Sequence, residues 1–439
     1  MSRSATSAAF FDLDRTLLRG ASGPLITEAL QAGGLVRDIR VPLLDGVYKF
    51  YELFGETLAG MALARRGINM ADGWATDAVS DAAHDAADRI APLIQPYARE
   101  VIDEHRSAGR PVVLATTTPR AFVEPLAKRL GFDAVVATDI GSANGVFTGA
   151  IESGLVWFRG KLNAIRAWAD ANSVDVGASW AYSDSIYDLP MLMAVQHPVA
   201  VNPDPRLRAV ATLRRWKVVH LDVPPGVPKV AGLEPFDLLR FGLRPELLRF
   251  ARFRFEGVEN LPSSGGVIVA SNHRSYFDPF AVGFAVAKRG RNVRFMAKRE
   301  VTDAPVVGAV VNALGTIRVD RGSGSDQPLV DAQRALRAGE VVSIFPQGTI
   351  PRGEAFDDPV LQGKTGAARL AKSAGVSVIP MGVMGTEHVW PRQAKVPNLV
   401  NVLNPPAVVV RVGEPVALGG RSMPADTKRI MAAISELLR

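Results

Sequence analysis

The 439-residue sequence contains no cysteine, which excludes disulfide bonds, a thiol nucleophile and a cysteine-ligated metal. It also has no run of about 18 or more uncharged apolar residues, so no membrane-spanning helix is predicted. A secretory leader is not predicted either, because Asp12 and Asp14 interrupt the apolar stretch near the start. A chain without cysteine is typical of a cytoplasmic protein.

Excess charge is absent from the first half of the chain. Residues 1–230 hold 24 Lys and Arg against 25 Asp and Glu, whereas residues 231–439 hold 27 against 19. A basic half indicates an anionic partner: nucleic acid, an anionic membrane surface or a phosphorylated substrate. Zinc-finger spacing is excluded without cysteine, and the sequence has no aromatic–glycine RNA-binding run and no clear recognition helix. We therefore expect no nucleic-acid partner and favour a lipid surface.

The length exceeds one ordinary core and predicts two domains. Strand patterns alternate with helical patterns in both halves, which indicates α/β domains with mostly parallel, doubly wound sheets. The first domain is predicted at 1–225, with a helical cap at about 20–105. A Pro/Gly-rich stretch leads to a linker at 226–235, and the second domain follows at 236–439. The predicted strands are 8–13, 111–115, 134–137, 179–182, 267–271, 293–296, 316–319, 341–345, 376–380 and 408–412.

Residues 236–255 interleave apolar and arginine residues in a basic amphipathic stretch. Such a stretch can lie in a membrane interface. It can equally form a surface helix that packs on its own domain, with arginine stems covering apolar surface. Both interpretations remain open from the sequence.

The first chemical motif is an Asp-Leu-Asp-Arg-Thr run at residues 12–16, directly after the first predicted strand. The carboxyl end of a strand in an open α/β sheet faces the crevice where such sheets bind ligands. Asp12 and Asp14 can surround one phosphate and one cation there. A carboxylate attacks phosphorus only when the phosphate charge is neutralised, so the site needs Mg²⁺ and a lysine or hydroxyl. Alone, the motif also fits a simple strand-to-turn connection.

Residues suited to this chemistry follow in order: Thr116 after a strand, Lys161 at a helix start, then Asp184 and Asp188 after another strand. Oxygen ligands suit Mg²⁺, and the scarcity of histidine argues against zinc. Together the four motifs resemble the haloacid dehalogenase superfamily, in its phosphoserine-phosphatase-like branch, over roughly residues 8–220. Ser183 stands where that family often has glycine.

This resemblance implies a role for each matching residue. They are the nucleophile Asp12, the general acid/base Asp14, the phosphate binders Thr116 and Lys161, the Mg²⁺ ligands Asp12, Asp14 and Asp184, and Asp188 in support.

The second motif places Asn272, His273 and Asp278 directly after a predicted strand. A neutral imidazole can take a proton from an alcohol as that alcohol attacks a thioester. A carboxylate on the other ring nitrogen fixes the tautomer and stabilises the imidazolium. Asp278 also precedes Pro279 and an apolar helical run, which predicts that it caps this helix. The two roles are compatible.

Three later segments, 315–321, 345–352 and 378–382, carry cationic side chains and glycine-containing turns that suit a phosphate-bearing acceptor. With the His–Asp pair they resemble the four blocks of the glycerolipid acyltransferases, notably the 1-acylglycerol-3-phosphate acyltransferases, over roughly residues 240–425. The implied roles are the base His273, its partner Asp278, the supporting Asn272, the acceptor-binding Arg321, Gln347, Gly348, Thr349 and Arg352, and Pro380 at the acyl-donor site.

The third block departs from the family's Phe-Pro-Glu-Gly-Thr-Arg pattern. Gln347 replaces the glutamate and Ile350 replaces the arginine. Loss of a carboxylate and a guanidinium should alter recognition of the acceptor. Arg352, two residues on, is the predicted substitute for the missing cation.

These features predict a bifunctional enzyme of phospholipid metabolism. One domain transfers a fatty acyl group from acyl-CoA or acyl carrier protein to a lysophospholipid, first of all 1-acylglycerol-3-phosphate. The other hydrolyses a phosphomonoester with Mg²⁺. The alternative is an acyltransferase for another acceptor, fused to a non-catalytic regulatory domain. The expected location is the cytoplasm, peripherally on the inner face of the cell membrane, and no oligomeric state is predicted.

Overall fold

The computed structural model describes residues 6–36, 65–229, 232–242, 244–320, 325–358, 361–394, 396–419 and 422–439. The chain divides into two compact units, Met1–Val223 and Pro224–Arg439. The division falls at the start of the Pro/Gly-rich stretch. No helix among the described residues is long and apolar enough to cross a membrane.

The first unit is built on a six-stranded parallel sheet with the order β3-β2-β1-β6-β7-β8. Its strands are β1 Ala9–Phe11, β2 Val112–Pro119, β3 Ala134–Thr138, β6 Trp180–Ser183, β7 His197–Val201 and β8 Lys217–Val219, with an antiparallel hairpin of β4 Ile140–Ala143 and β5 Val146–Ile151. The continuous apolar run of β1 is buried on both faces, as parallel strands require. Chain order reverses between β1 and β6, which creates a crevice at their carboxyl ends.

The helices of the first unit are α1 Gly23–Ala32, α2 Thr76–Ile90, α3 Ala98–Ser107, α4 Arg120–Leu130, α5 Arg159–Ala171, α6 Leu189–Ala194 and α7 Pro205–Arg214. In the predicted cap region, α2 packs its alanine-rich face on α4. Residues 37–64 of that region lie outside the described residues. The β4–β5 hairpin was not predicted. Its turn, Asn144 and Gly145, has positive φ at both positions, as a two-residue hairpin loop needs.

The second unit contains a seven-stranded sheet with the order β12-β11-β13-β10-β14-β15-β9, parallel except between β14 and β15. Its strands are β9 Arg252–Glu256, β10 Val267–Ser271, β11 Val293–Lys298, β12 Ile317–Val319, β13 Val341–Ile344, β14 Val378–Met384 and β15 Ala407–Val412. The fully buried β10 lies between β13 and β14. The predicted α/β class with mostly parallel sheets is confirmed.

The helices of the second unit are α8 Pro235–Gly242, α9 Asp278–Lys288, α10 Arg299–Thr302, α11 Pro305–Ala313, α12 Gln327–Arg337, α13 Glu354–Asp357, α14 Gly366–Ala374 and α15 Met423–Glu436. Two apolar clusters, one on each face of the sheet, form its core.

Residues 236–255 do not form one helix, so the interpretation of this stretch as a single surface helix is wrong, and its contact with a membrane interface stays a prediction. The stretch begins in α8, passes through a single 3-10 turn at Pro245–Leu247 and ends in the edge strand β9. Pro245 and the pairing of β9 with β15 decide this, because an edge strand satisfies its backbone hydrogen bonds across the sheet.

Part of the predicted linker packs into the second unit. Val227 is buried, and Glu234 makes a bidentate ion pair with the buried Arg294, at 2.6 and 2.9 Å. Glu340 contacts the same guanidinium at 3.1 Å. The buried arginine is thereby compensated by two carboxylates and fixes the start of α8.

Candidate active sites

In the first unit, Asp12 lies at the carboxyl end of β1, and its backbone N–H donates to the Tyr182 carbonyl of β6. The fully buried Lys161 ammonium donates to Asp12 Oδ1 at 2.9 Å and to Asp188 Oδ2 at 2.8 Å. Lys161 reaches this position from the first turn of α5. Gly160 permits the close approach, because a Cβ there would overlap the Leu155 carbonyl oxygen. Asp12, Lys161 and Asp188, three predicted site residues that lie far apart in the sequence, are thus in contact.

Asp184 follows β6 on the other side of the same crevice. Thr16 Oγ1 donates to Asp184 Oδ1 at 3.1 Å and accepts from the Asp184 backbone N–H at 2.9 Å. Arg15 Nε lies 3.3 Å from Asp184 Oδ2. Arg15 takes a positive φ of 61°, so the backbone turns sharply directly after Asp14. The hydroxyl of Thr16, in the first motif, therefore orients Asp184, in the fourth motif.

Asp14 directs its carboxylate to a different set of partners. The Ser22 N–H donates to Oδ1 at 2.6 Å, and the Thr118 hydroxyl donates weakly to Oδ2 at 3.5 Å. Burial raises the pKa of Asp14, and the hydrogen bonds from Ser22 oppose that rise in part. Ser22 and Thr118 were not predicted. The predicted Thr116 is buried beside them, and its hydroxyl accepts from the Thr118 N–H at 3.2 Å.

Asp188 accepts from Lys161 and from the Ser183 hydroxyl at 2.7 Å, both on Oδ2. The Ser183 side chain thus has a role that glycine, the usual family residue, lacks. Asp188 Oδ1 is buried and has no hydrogen-bond partner within the described residues. Those residues contain no group of three or more acidic or histidine side chains that could hold a metal by themselves.

In the second unit, His273 and Asp278 meet at the carboxyl end of β10. His273 Nδ1 lies 2.8 Å from Asp278 Oδ2. Because Asp278 accepts here, Nδ1 carries the proton and Nε2 is the basic nitrogen. The carboxylate is fully buried, whereas the histidine side chain is 18% exposed. A base with one face open to a ligand and the other fixed by a buried acid is the arrangement expected for proton abstraction.

Asp278 has a dense set of further donors. The backbone N–H groups of Arg274 and Ser275 donate to Oδ2 at 2.6 and 2.8 Å, and the Thr386 hydroxyl donates to Oδ1 at 2.5 Å. All of these groups precede α9 or lie after β14. The prediction that Asp278 caps α9 is wrong, because the helix begins at Asp278 and its carboxylate faces back into the loop. Thr386 was not predicted from the sequence.

The loop after β13 supports the histidine from the other side. The Phe345 ring stacks on His273 with centroids 4.4 Å apart, and Gln347 Oε1 accepts from the His273 backbone N–H at 2.6 Å. Gly348 turns this loop with φ of 73°. Asn272 makes two hydrogen bonds with the backbone of Val383, both 2.8 Å, which join β10 to β14.

His273 lines a cavity of about 1570 Å³. Gly348, Thr349 and Ile350 form part of its wall, while Arg352 is exposed and does not line it. Arg321 lies outside the described residues. Further groups on the wall that were not predicted are Lys298, Lys364, Trp390 and Arg392, besides many apolar side chains of α9 and α11.

Arg392 lies beside Ile350, the residue that stands where the family pattern has arginine. Its Nη1 donates to the Ile350 carbonyl at 3.1 Å, and it lines the cavity. Ile350 itself is buried. The segment after β14 was outside the four motif blocks, so only the folded chain reveals this arginine.

Comparisons with known proteins find matches for both halves of the chain. A family model described as haloacid dehalogenase-like hydrolase matches residues 9–193, and one described as acyltransferase matches residues 252–384. An inhibition of morphological differentiation protein of Streptomyces azureus is 35% identical over 50% of this chain and 79% of that protein. A phosphoserine phosphatase of Mycobacterium tuberculosis is 34% identical over 48% of this chain and 70% of that protein.

A chloroplastic 1-acyl-sn-glycerol-3-phosphate acyltransferase of Arabidopsis thaliana is 28% identical over 38% of this chain and 44% of that protein. The chain therefore belongs to the haloacid dehalogenase-like hydrolases, and its second half carries a region that matches the acyltransferase family model.

Proposed function

We propose that this phosphatase–acyltransferase fusion acts in phospholipid metabolism. Residues 1–225 would hydrolyse a phosphomonoester, residues 226–235 would connect the domains, and residues 236–439 would acylate a lysophospholipid. The observation that carries the proposal is the His273–Asp278 pair, with its buried carboxylate, on a cavity large enough for a lipid chain. The side chains gathered near Asp12, namely Lys161, Asp188 and Asp184, support the proposed phosphatase activity of the first domain.

In the phosphatase domain, an Asp12 carboxylate oxygen attacks phosphorus and the bond to the leaving alcohol oxygen breaks. Asp14, as the general acid, gives a proton to that oxygen. Asp14 then takes a proton from the water that hydrolyses the aspartyl phosphate. Lys161 holds Asp12 in position and supplies positive charge to the phosphate oxygens, with Thr116 on the neighbouring strand end as a second phosphate binder.

The residues present fit a Mg²⁺ ion, held by Asp12, Asp14 and Asp184 with Asp188 in support. All donors are oxygens, and the buried Asp188 Oδ1 without a hydrogen-bond partner marks a place where a bound cation's water can sit. Mg²⁺ commonly takes one or two carboxylates and completes its shell with water and phosphate oxygens, so these side chains need not all contact the ion at once. Its chemistry here is neutralisation of the phosphate charge.

In the acyltransferase domain, His273 Nε2 takes the proton of the acceptor hydroxyl as its oxygen attacks the thioester carbonyl. The carbon–sulfur bond then breaks, and the imidazolium returns the proton to the departing thiolate. Asp278 stabilises the imidazolium through Nδ1. The acyl donor is acyl-CoA or acyl carrier protein, and Pro380 on β14 belongs to the donor side.

The acceptor that fits best is 1-acylglycerol-3-phosphate. Gly348 and Thr349 lie on the cavity wall, and Arg392 supplies a guanidinium beside Ile350, where the family block has its arginine. An arginine binds phosphate oxygens in bidentate fashion. Gln347 serves the His273 loop through its side-chain oxygen. The protein would work at the inner face of the cell membrane, where such an acceptor resides.

The test measures acyl transfer from labelled acyl-CoA to lysophosphatidate, and phosphate release from a phosphomonoester panel, for wild type, His273→Ala and Asp12→Asn. Transfer lost only in His273→Ala and phosphate release lost only in Asp12→Asn support the proposal. Transfer to other lysophospholipids, but not to lysophosphatidate, would overturn the assignment of 1-acylglycerol-3-phosphate as the acceptor. Phosphate release that is absent in wild type across the panel favours the regulatory alternative for the first domain.

A further inference from the structure

The segment from Val396 to Leu403 exposes apolar side chains almost continuously. Val396 is 70% exposed, Val400 85% and Leu403 99%, and Leu399 and Val402 are about half exposed. We call this segment the apolar loop. No charged residue occurs between positions 396 and 410. Scattered apolar side chains on a surface are ordinary, but five within eight residues form a patch that marks an interaction site.

Hydrogen bonds connect the apolar loop to residues on either side of it. The Asn398 N–H donates to the Val389 carbonyl at 2.8 Å, and Asn401 Nδ2 donates to the Asn404 carbonyl at 2.8 Å. Asparagine side chains supply the polar contacts of the turn, so the valine and leucine side chains are left to point away from it. The exposed part of the apolar loop therefore carries no charged side chain.

The apolar loop follows residues that line the acyltransferase cavity. Trp390, Arg392 and Ala394, which directly precede it, line the cavity. Tyr276 and Phe280 line the same cavity and are each nearly half exposed. The Tyr276 and Trp390 rings lie 5.8 Å apart, edge to face. Aromatic rings of this kind are favoured where apolar and aqueous phases meet.

The cavity wall has the charge that an anionic lipid surface would attract. Its described lining includes six cationic residues against two glutamates: Arg240, Arg244, Lys288, Lys298, Lys364 and Arg392, with Glu246 and Glu300. An uncharged apolar loop beside a cationic cavity wall is complementary to an anionic bilayer. The acyl region of such a bilayer is apolar, and its anionic headgroups lie just above that region.

We propose that the apolar loop inserts into the interfacial region of an anionic bilayer and turns the cavity mouth toward the leaflet. A lysophospholipid then passes from the leaflet to His273 without its acyl chain crossing water. The inference rests on the proposed function, because it supplies that acceptor. It moves the membrane contact from residues 236–255, which lack the continuous helix that the sequence suggested, to a loop about 150 residues later in the chain.

The test is co-sedimentation of the full chain with vesicles of phosphatidylcholine and phosphatidylglycerol, without acyl donor or acceptor. Val400→Asp and Leu403→Asp should each lower the vesicle partition coefficient about tenfold or more, since a buried apolar contact is replaced by a charge. Leu213→Asp is the matched control, because Leu213 is 84% exposed on the other unit. It should bind vesicles as wild type does. Pure phosphatidylcholine vesicles should bind wild type more weakly.

Acyl transfer to a short-chain lysophospholipid that stays monomeric in solution gives the second readout. The loop variants should transfer at the wild-type rate there, and more slowly when the acceptor is embedded in vesicles. Equal vesicle binding by wild type, V400D and L403D would overturn the proposal, as would a change in oligomeric state without a change in vesicle binding. If wild type binds vesicles through the loop but acylates no lysophospholipid, the loop assignment stands and the proposed acceptor fails.

Discussion

The side-chain oxygen of Gln347 accepts a 2.6 Å hydrogen bond from the backbone N–H of His273. The residue at which the third block departs from its family pattern is therefore bound to the loop that carries the base. Glutamine and glutamate both offer an oxygen at this position. The departure keeps the support of His273 and removes one negative charge from its surroundings.

We predict that Gln347→Leu lowers kcat of acyl transfer by about ten- to a hundredfold, because a partly buried N–H loses its acceptor. Gln347→Glu should retain most of the activity, since a carboxylate oxygen accepts the same bond. Steady-state acyl transfer with both variants checks this. Equal rates for wild type and Gln347→Leu would show that the bond does not position His273.

Replacement of Asp278 by asparagine should lower kcat by about a hundredfold or more, with a small effect on KM, because the imidazolium loses its counter-charge. Asparagine can still accept from the Arg274 and Ser275 N–H groups, which keeps the loop folded. The matched control is Thr386→Val, which removes only the bond to Oδ1 and should cost less. A Thr386→Val loss as large as that of Asp278→Asn would contradict the proton-transfer role of Asp278.

Lys161→Met should abolish phosphate release and leave acyl transfer intact, because Lys161 serves only the first site. It should also lower the unfolding free energy of that unit by about 3 kcal/mol, since Asp12 and Asp188 lose a buried counter-ion. Adding Asp12→Asn should recover part of that loss. Phosphate release and urea unfolding of the single and double variants check both statements. Phosphate release retained by Lys161→Met would exclude the assigned role.

Arg392→Ala should raise KM for a phosphate-bearing acceptor about tenfold and leave kcat nearly unchanged, as loss of a charge-assisted contact predicts. Arg352→Ala is the control. Arg352 is exposed and does not line the cavity, so its removal should have little effect. If Arg352→Ala raises KM more than Arg392→Ala does, Arg352 is the residue that binds the acceptor phosphate, as the sequence predicted.

The first unit should lose stability as pH falls, through His105. Burial, together with the nearby positive charges of Arg110, His197 and Lys217, lowers the pKa of His105 to about 4. Between pH 6.5 and 4 the unfolded chain binds a proton that the folded chain does not, so stability decreases as pH falls through this window. The loss reaches about 3 kcal/mol at pH 4.

His105→Gln offers a non-titrating partner for both neighbours of His105. Tyr182 and Arg110 contact its two ring nitrogens at 2.7 and 2.8 Å. Unfolding followed by tryptophan fluorescence reports mainly on the first unit, where five of the six tryptophans lie. The variant should show a smaller dependence on pH between 6.5 and 4. An unchanged dependence would assign it to other groups.

The sequence predicted both α/β sheets because apolar strand runs alternate with amphipathic helices, and this signal is local. β10 was predicted at 267–271 and occupies those residues, and the helix that was predicted to start at Lys161 spans Arg159–Ala171. Local periodicity failed at residues 236–255. There, pairing of β9 with β15, about 150 residues away, outweighed the helical pattern.

The sequence alone predicted the residues of each site, because the motif aspartates and the His–Asp pair directly follow predicted strands and Lys161 stands at a predicted helix start. Only the tertiary structure decided which partners they receive. Thr386 on Asp278, Ser22 on Asp14 and Arg392 beside Ile350 come from segments without a motif. A single hydrogen bond or charge leaves no periodic trace in a sequence, so these contacts exist only once the strands have brought distant loops to one edge of a sheet.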